Sequence, residues 1–284
     1  MQFTKAKLCW AALTAGKPKK VSVKEYAQYS HYEALFRWNM VKASIDFSHP
    51  PLLHNSALFD ALDPTEKGGI NYYLGMIATK LCADRALGVS WLIHYDWMVK
   101  NHEIEMKPGK STPDLLGLGT NGLWNVFEAK GRNRGFLESV ADTAKTQADM
   151  AISVDGVYCD LHVGGLLFRE ATNGQFAYHW RDPTPDQEKR IDLKTDRDTW
   201  AQYYALPYYL AKANLERPAA AAPGLGFTVS LADDAFEFAK IVIETDQDYS
   251  NQFGILLQNA QRRREADQPN TNADGVIVKL IEEE

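Results

Sequence analysis

Asp114, Glu128 and Lys130 are the residues of this chain whose types and spacing can do chemistry. They lie in PDLLGLGTNGLWNVFEAKGR, residues 113–132. Side chains on a strand alternate between faces. If 123–130 is a strand, Trp124, Val126, Glu128 and Lys130 share one face, and Leu123, Asn125, Phe127 and Ala129 share the other. Thr120-Asn121-Gly122 separates two apolar runs, and Asn-Gly in that setting predicts a tight hairpin. The hairpin brings Asp114, at the head of the first run, beside Glu128 and Lys130 at the end of the second. Two carboxylates held that close repel each other, and a shared divalent cation relieves the repulsion. Oxygen ligands without His or Cys favour Mg²⁺ or Mn²⁺, and the carbonyl of Ala129 offers a further oxygen. A lysine at that place can stabilise a charged phosphate oxygen or hold an attacking water. Metal, acids and lysine together suit hydrolysis of a phosphodiester by an activated water.

These residues need a scaffold, and the pattern upstream and downstream supplies one. Residues 24–42 have helical spacing, and 43–68 read mostly as loop with one short helix. Asn71 to Leu87 predicts a buried helix that Gly88 stops. The aromatic and β-branched run 89–99 predicts a strand, followed by the two strands of the hairpin. Residues 136–152 return to helical spacing, with Phe136, Val140, Ala144 and Ala148 on one stripe. Residues 156–168 and 175–182 predict two strands joined by a second Asn-Gly turn at 173–174. From residue 183 the chain becomes polar, with helices expected near 197–215, 232–244 and 247–265, a connector at 217–226, a surface loop at 266–275 and a last strand after Gly275. From Asn71 onward the expected order is helix, three strands, helix, two strands. That is an α/β core with a central mixed sheet flanked by helices, and with helical additions at both ends. The expected organisation is an N-terminal, mostly helical region at 1–68, a core at 69–184 and a C-terminal, mostly helical region at 185–284 packed on the core.

Pro113-Asp114, thirteen intervening residues and Glu128-Ala129-Lys130 resemble the signature of the PD-(D/E)xK nucleases, the superfamily of restriction-endonuclease-like enzymes. The order of elements from 71 to 168 is similar to the core of that superfamily. The resemblance implies a metal-dependent nuclease, with Asp114 and Glu128 as metal ligands and Lys130 at the water or phosphate. It points to DNA more than to RNA, and a bacterial defence or restriction role fits it. Some members add an acid on the first helix, for which Asp84 is the available residue. Others add a Lys or Gln on the helix after the motif, for which Lys145 and Gln147 are available. Two further matches to the bare pattern fail on context. Pro185-Asp186 with Asp192-Leu193-Lys194 lies in a polar, Pro-rich stretch, and Glu105-Met106-Lys107 has no Pro-Asp upstream. The other reading of the hairpin is a catalytically inactive, nuclease-like DNA-binding or sensing subunit that docks on a partner such as a helicase.

Around the motif, Arg132 and Arg134 follow Lys130 in a Gly-flanked turn and are placed to grip a phosphate backbone. His94 and His162 fall on expected strands and are read as hydrogen-bonded core histidines able to approach the site. Tyr72, Tyr73, Tyr203, Tyr204, Tyr208 and Tyr209 fall on helices, where aromatic side chains pack a core more often than they stack on bases.

The composition bounds the rest. The 284 residues are 45% hydrophobic and 24% charged, with a net charge of −6. This balance suits a packed globular protein and argues against one that coats nucleic acid by bulk electrostatics. Cys9, Cys82 and Cys159 have no metal-like spacing, which predicts buried thiols in a reducing compartment. The run Leu8–Leu13 is short for a signal peptide and basic residues follow it. No later stretch reaches the length of a membrane span, and the chain reads as cytoplasmic.

Overall fold

The computed structural model describes residues 4–16, 23–48, 53–181, 196–216, 226–266 and 271–281. The rejected motif at 185–194 and most of the connector at 217–226 lie outside them. Two helices open the chain, α1 (Lys5–Thr14) and α2 (Val23–Ser44), followed by a small strand pair, β1 (Ile45–Asp46) and β2 (His54–Asn55), and a short helix, α3 (Ala57–Ala61).

Helix α4 (Pro64–Cys82) starts seven residues earlier than the apolar spacing predicts. Its true start is a capping box. The Asp63 carboxylate accepts from Thr65 N at 2.6 Å and Glu66 N at 3.2 Å, and Glu66 accepts from Asp63 N at 3.2 Å. Pro64 stands at the first helical position, where its missing N–H is no loss. The helix ends in a π-helical turn, Ala83–Leu87, and Gly88 stops it with φ of +72°. A backbone in that left-handed region favours glycine.

Strand β3 (Val89–His94) is shorter than the expected 89–99, because Tyr95–Asn101 turns into helix α5. His94 caps that helix through its side chain, and Tyr95 and Met98 turn inward. A short strand, β4 (Ile104–Met106), precedes the hairpin of β5 (Leu115–Gly119) and β6 (Trp124–Gly131). The hairpin turn is as expected: Gly119 N donates to Leu123 O at 2.9 Å, and Gly122 has φ of +80°. Helix α6 (Glu138–Ala148) buries Ala141, Ala144 and Ala148, while Phe136 precedes it and is exposed. The expected strand 156–168 is divided. After β7 (Ala151–Val154), β8 (Val157–Tyr158) joins β4 and β7 in a separate three-stranded sheet. Only β9 (Leu161–Arg169) enters the main sheet, with β10 (Phe176–Arg181) beyond the Asn173-Gly174 turn.

The central sheet has the order β10-β9-β6-β5-β3. β3, β5 and β6 run antiparallel, β6 and β9 parallel, and β9 and β10 antiparallel. A parallel pair needs a crossover, and α6 supplies it between β6 and β9. The two helices cover opposite faces of the sheet. Met76 and Ala83, from α4 and its π-helical turn, join Phe127, Ala129 and Val163. Ala141 of α6 joins Leu166 and Phe168. Glycines let the helices come close. A Cβ on Gly75 would stand 2.8 Å from the Lys130 carbonyl carbon. One on Gly164 would collide with the backbone of Lys145 on α6.

The rest of the chain packs on this core. Helix α7 (Arg197–Glu216) buries Tyr203, Tyr204 and Tyr208, and then come β11 (Phe227–Leu231), α8 (Asp233–Glu244), α9 (Ser250–Ala266) and β12 (Val276–Leu280). β11, to which the sequence reading assigned no strand, pairs with β12, the expected last strand. One apolar cluster draws on α1, α4, β5, β6, α7, α8 and β12 together. A buried polar knot fastens the two ends. Asp274 accepts from Trp10 Nε1 at 3.1 Å and from the Tyr203 hydroxyl at 2.5 Å, and the Lys80 ammonium lies 3.9 Å away. Cys9, Cys82 and Cys159 are buried, and none forms a disulfide. No helix among the described residues is long and apolar enough to cross a membrane.

Candidate active site

The site forms where β5 and β6 part. The last paired residues of the hairpin are Leu115 and Phe127, so Asp114 and Glu128 are the next position across. Freed from the ladder, Asp114 turns its carboxylate onto β6, and its Oδ2 accepts from Ala129 N at 3.0 Å. In a strand the N–H and C=O of one residue point to the same edge. The Ala129 carbonyl therefore faces the Asp114 edge as well. The expected division of faces holds: Trp124 and Val126 belong to one apolar cluster, and Phe127 and Ala129 to the other.

Glu128 has only 1% of its surface exposed. Its Oε1 forms an ion pair with Lys130 Nζ, and the Lys130 side chain reaches the surface. Its Oε2 is buried with no hydrogen-bond partner among the described residues. Burial raises the Glu128 carboxyl to about 7, and the neighbouring Asp114 charge adds to the rise, against the opposing pull of Lys130 and, more weakly, of the Asp114 backbone N–H. A buried carboxylate oxygen without a donor is costly. The arrangement is one that a bound cation would relieve, and its donors are oxygens only, which suits a hard divalent ion. Among the described residues no three His, Cys, Asp or Glu side chains are grouped to hold an ion. The two carboxylates would need the Ala129 carbonyl and water to complete a coordination shell.

The structure separates the other candidates. Arg132 N donates to Leu167 O at 2.9 Å and so prolongs the β6–β9 ladder. By strand alternation its side chain follows Lys130 on the same face, and its Nη1 has no hydrogen-bond partner among the described residues. Arg134 is exposed, and its carbonyl accepts from Arg169 N at 3.3 Å.

Asp84 is not at the site. It lies in the π-helical turn and accepts from Ser90 Oγ at 2.7 Å. Ser90 is four residues from His94 along β3, about 13 Å in an extended strand. Burial raises the Asp84 carboxyl, and Lys80 counters the rise, so it belongs with the polar knot. Lys145 is turned away from the mouth. Its Nζ donates to His162 O at 3.0 Å and pairs with Asp149, and His162 is the register partner of Val126, below Glu128. Gln147 is half-buried on α6, and its carbonyl accepts from Met150 N at 3.2 Å. His162 is a hydrogen-bonded strand histidine, its Nε2 2.7 Å from Ala151 O.

Two residues read as core or stacking candidates stand at the rim instead. His94 is the last residue of β3 and pairs with Leu115, next to Asp114. The Tyr72 hydroxyl lies 3.5 Å from His94 Nε2. Burial pushes the Tyr72 phenol up to about 12, and the charges of Asp114, Glu128 and Asp96 and the neighbouring Tyr73 add to the rise. No sequence signal marks Tyr72, because its place depends on how α4 docks across the end of β6. The sequence singles out His94 as a strand histidine, but its place at the end of β3 arises only because 95–101 turns into α5.

The chain matches no protein-family model, no curated protein and no solved structure.

Proposed function

We propose that this chain is a Mg²⁺- or Mn²⁺-dependent nuclease of the PD-(D/E)xK type that hydrolyses phosphodiester bonds in DNA. The observation that carries the reading is the buried, partnerless Oε2 of Glu128, set beside Asp114 and behind the outward-reaching Lys130. A strand that served packing alone would put an apolar residue at that position. The mixed sheet between α4 and α6 supports the reading, since its element order is the one the resemblance implies. Asp114, Glu128 and the Ala129 carbonyl would hold the ion, which when bound supplies Lewis-acid polarisation of a phosphate oxygen and an activated water at neutral pH. Lys130 sets a positive charge at the mouth, where charge develops on a phosphate. Arg132 and Arg134 extend that positive rim along the exit of β6, where a backbone phosphate can be gripped.

The test is incubation of the purified protein with plasmid and linear DNA, in Mg²⁺ or in EDTA, beside Lys130→Ala. Cutting that needs the metal and is lost in the variant is the expected result. A folded protein that binds DNA and cuts none would instead favour the inactive DNA-binding subunit.

A further inference from the structure

We infer that the Tyr72 hydroxyl is a substrate-binding group of this site, donating a hydrogen bond to an oxygen of the phosphodiester under attack, and that His94 holds it in position. The inference rests on the nuclease reading of Asp114, Glu128 and Lys130.

Three observations meet at Tyr72. The first is placement. Gly75 and Gly131 let α4 lie against the end of β6, with the Asn71 carbonyl at Gly131 and Gly75 at the Lys130 backbone. Tyr72 follows Asn71 on α4, which covers the Phe127–Ala129 face of the sheet, and its hydroxyl reaches His94 at the end of β3, beside Leu115 and Asp114. It is 39% exposed and can reach a ligand from solvent.

The second is the direction of its hydrogen. His94 Nδ1 accepts from Asp96 N at 3.3 Å. In the tautomer in which Nδ1 accepts, the ring hydrogen of the neutral imidazole is on Nε2, the atom facing the Tyr72 oxygen; the same Nδ1 lies 3.9 Å from Asp96 Oδ2. The phenol oxygen then accepts from His94, and its own hydrogen points elsewhere. Tyr72 has no other hydrogen-bond partner among the described residues.

The third is electrostatic. Tyr72 lies in the field of Asp114 and Glu128, and Lys130 is drawn into its pair with Glu128. A phosphodiester entering between two carboxylates needs donors that add no negative charge, and a phenol is such a donor. No proton changes owner in this role: Tyr72 donates a hydrogen bond and remains a phenol.

The experiment compares wild type, Tyr72→Phe, His94→Ala and the double variant, with thermal melts to verify that each is folded. Cleavage of a DNA duplex is followed in Mg²⁺, and binding of the same fluorescent duplex is followed in Ca²⁺. Tyr72→Phe should slow cleavage about 10- to 100-fold, the scale of losing one aimed donor. His94→Ala should cost less, and the double variant should be no slower than Tyr72→Phe, because His94 acts through Tyr72. Full activity of Tyr72→Phe, or simple multiplication of the two single effects, overturns the inference and leaves the nuclease reading standing. If wild type binds but does not cut, the nuclease reading falls and the inference falls with it. If wild type neither cuts nor binds, both readings fall together.

Discussion

The carboxylate of Asp114 is hydrogen-bonded to the backbone N–H of Ala129, the residue between Glu128 and Lys130, at 3.0 Å. One acid thus does two jobs. It replaces the ladder partner that β6 loses where β5 ends, and it holds its second oxygen near Glu128. Asp114→Asn keeps an acceptor for the amide, so it should fold as wild type does while losing DNA cleavage. Asp114→Ala should lose cleavage and also about 1–2 kcal/mol of stability, because the Ala129 N–H loses its partner. Denaturant melts of the two variants separate these effects. Equal stability of Asn and Ala would refute the capping role.

Glu128 gives the site a pH dependence of definite sign. Its carboxyl sits at about 7 against an ordinary value of 4.5. A carboxyl raised in the folded state gives stability that is complete below the ordinary value and lost as pH rises through the folded one. Metal-free protein should therefore lose up to about 3 kcal/mol between pH 4.5 and 8. Glu128→Gln should be the more stable protein at pH 8, and inactive. Mg²⁺ or Mn²⁺ should raise the wild-type Tm at pH 8 more than at pH 6, since only the ionised carboxylate ligates. A metal-induced Tm shift independent of pH would count against Glu128 as the ligand.

His102 offers a second titration away from the site. Its Nδ1 lies 2.6 Å from Asp155 Oδ2 and its Nε2 2.6 Å from Asp196 Oδ2, joining the β7–β8 turn to the start of α7. These carboxylates raise the imidazole above its usual 6.5 although burial pulls it down. Asp196 is lowered below 3.8, against its own burial, by His102 and by Thr199. The His102 contribution is complete below pH 6.5 and lost as pH rises through its raised value. That of Asp196 is complete above 3.8 and lost as pH falls through its lowered value. The joint contribution of His102 and Asp196 should therefore be level between these limits, superimposed on the fall that Glu128 causes, and His102→Gln should make the alkaline fall shallower. Cleavage per folded molecule should not change.

Gly164 tests the packing that closes the site. It pairs with Glu128 in the parallel ladder and meets the backbone of Lys145 on α6. Gly164→Ala should push α6 off the sheet and destabilise the fold by about 1–3 kcal/mol, the range for overpacking a core. Gly156→Ala is the comparison for backbone strain without overpacking, since a Cβ there meets nothing within 4 Å and its φ of +78° alone is strained. A Gly164→Ala protein as stable as wild type would mean that α6 is not seated this closely.

What the sequence determined by itself was short-range. Strand alternation put Glu128 and Lys130 on one face, and Asn121-Gly122 turned the hairpin that delivers Asp114. Both follow from local stereochemistry and hold whatever surrounds them. The order of helices and strands in the central sheet was legible for the same reason, because apolar period and turn residues are local signals. The structure decided what depends on docking. It ended β3 at His94 and began α4 at Pro64, where side-chain caps outweigh apolar spacing. It paired β11 with β12 across a long separation. It sent Asp84 to Ser90 and set Tyr72 beside His94 at the rim. Such contacts join segments far apart in the chain and depend on how closely backbones approach at Gly75, Gly131 and Gly164, a distance that no local pattern encodes. The buried, partnerless oxygen of Glu128 belongs to the same class. The sequence places a carboxylate on the strand, and only the packed neighbours leave its second oxygen without a donor.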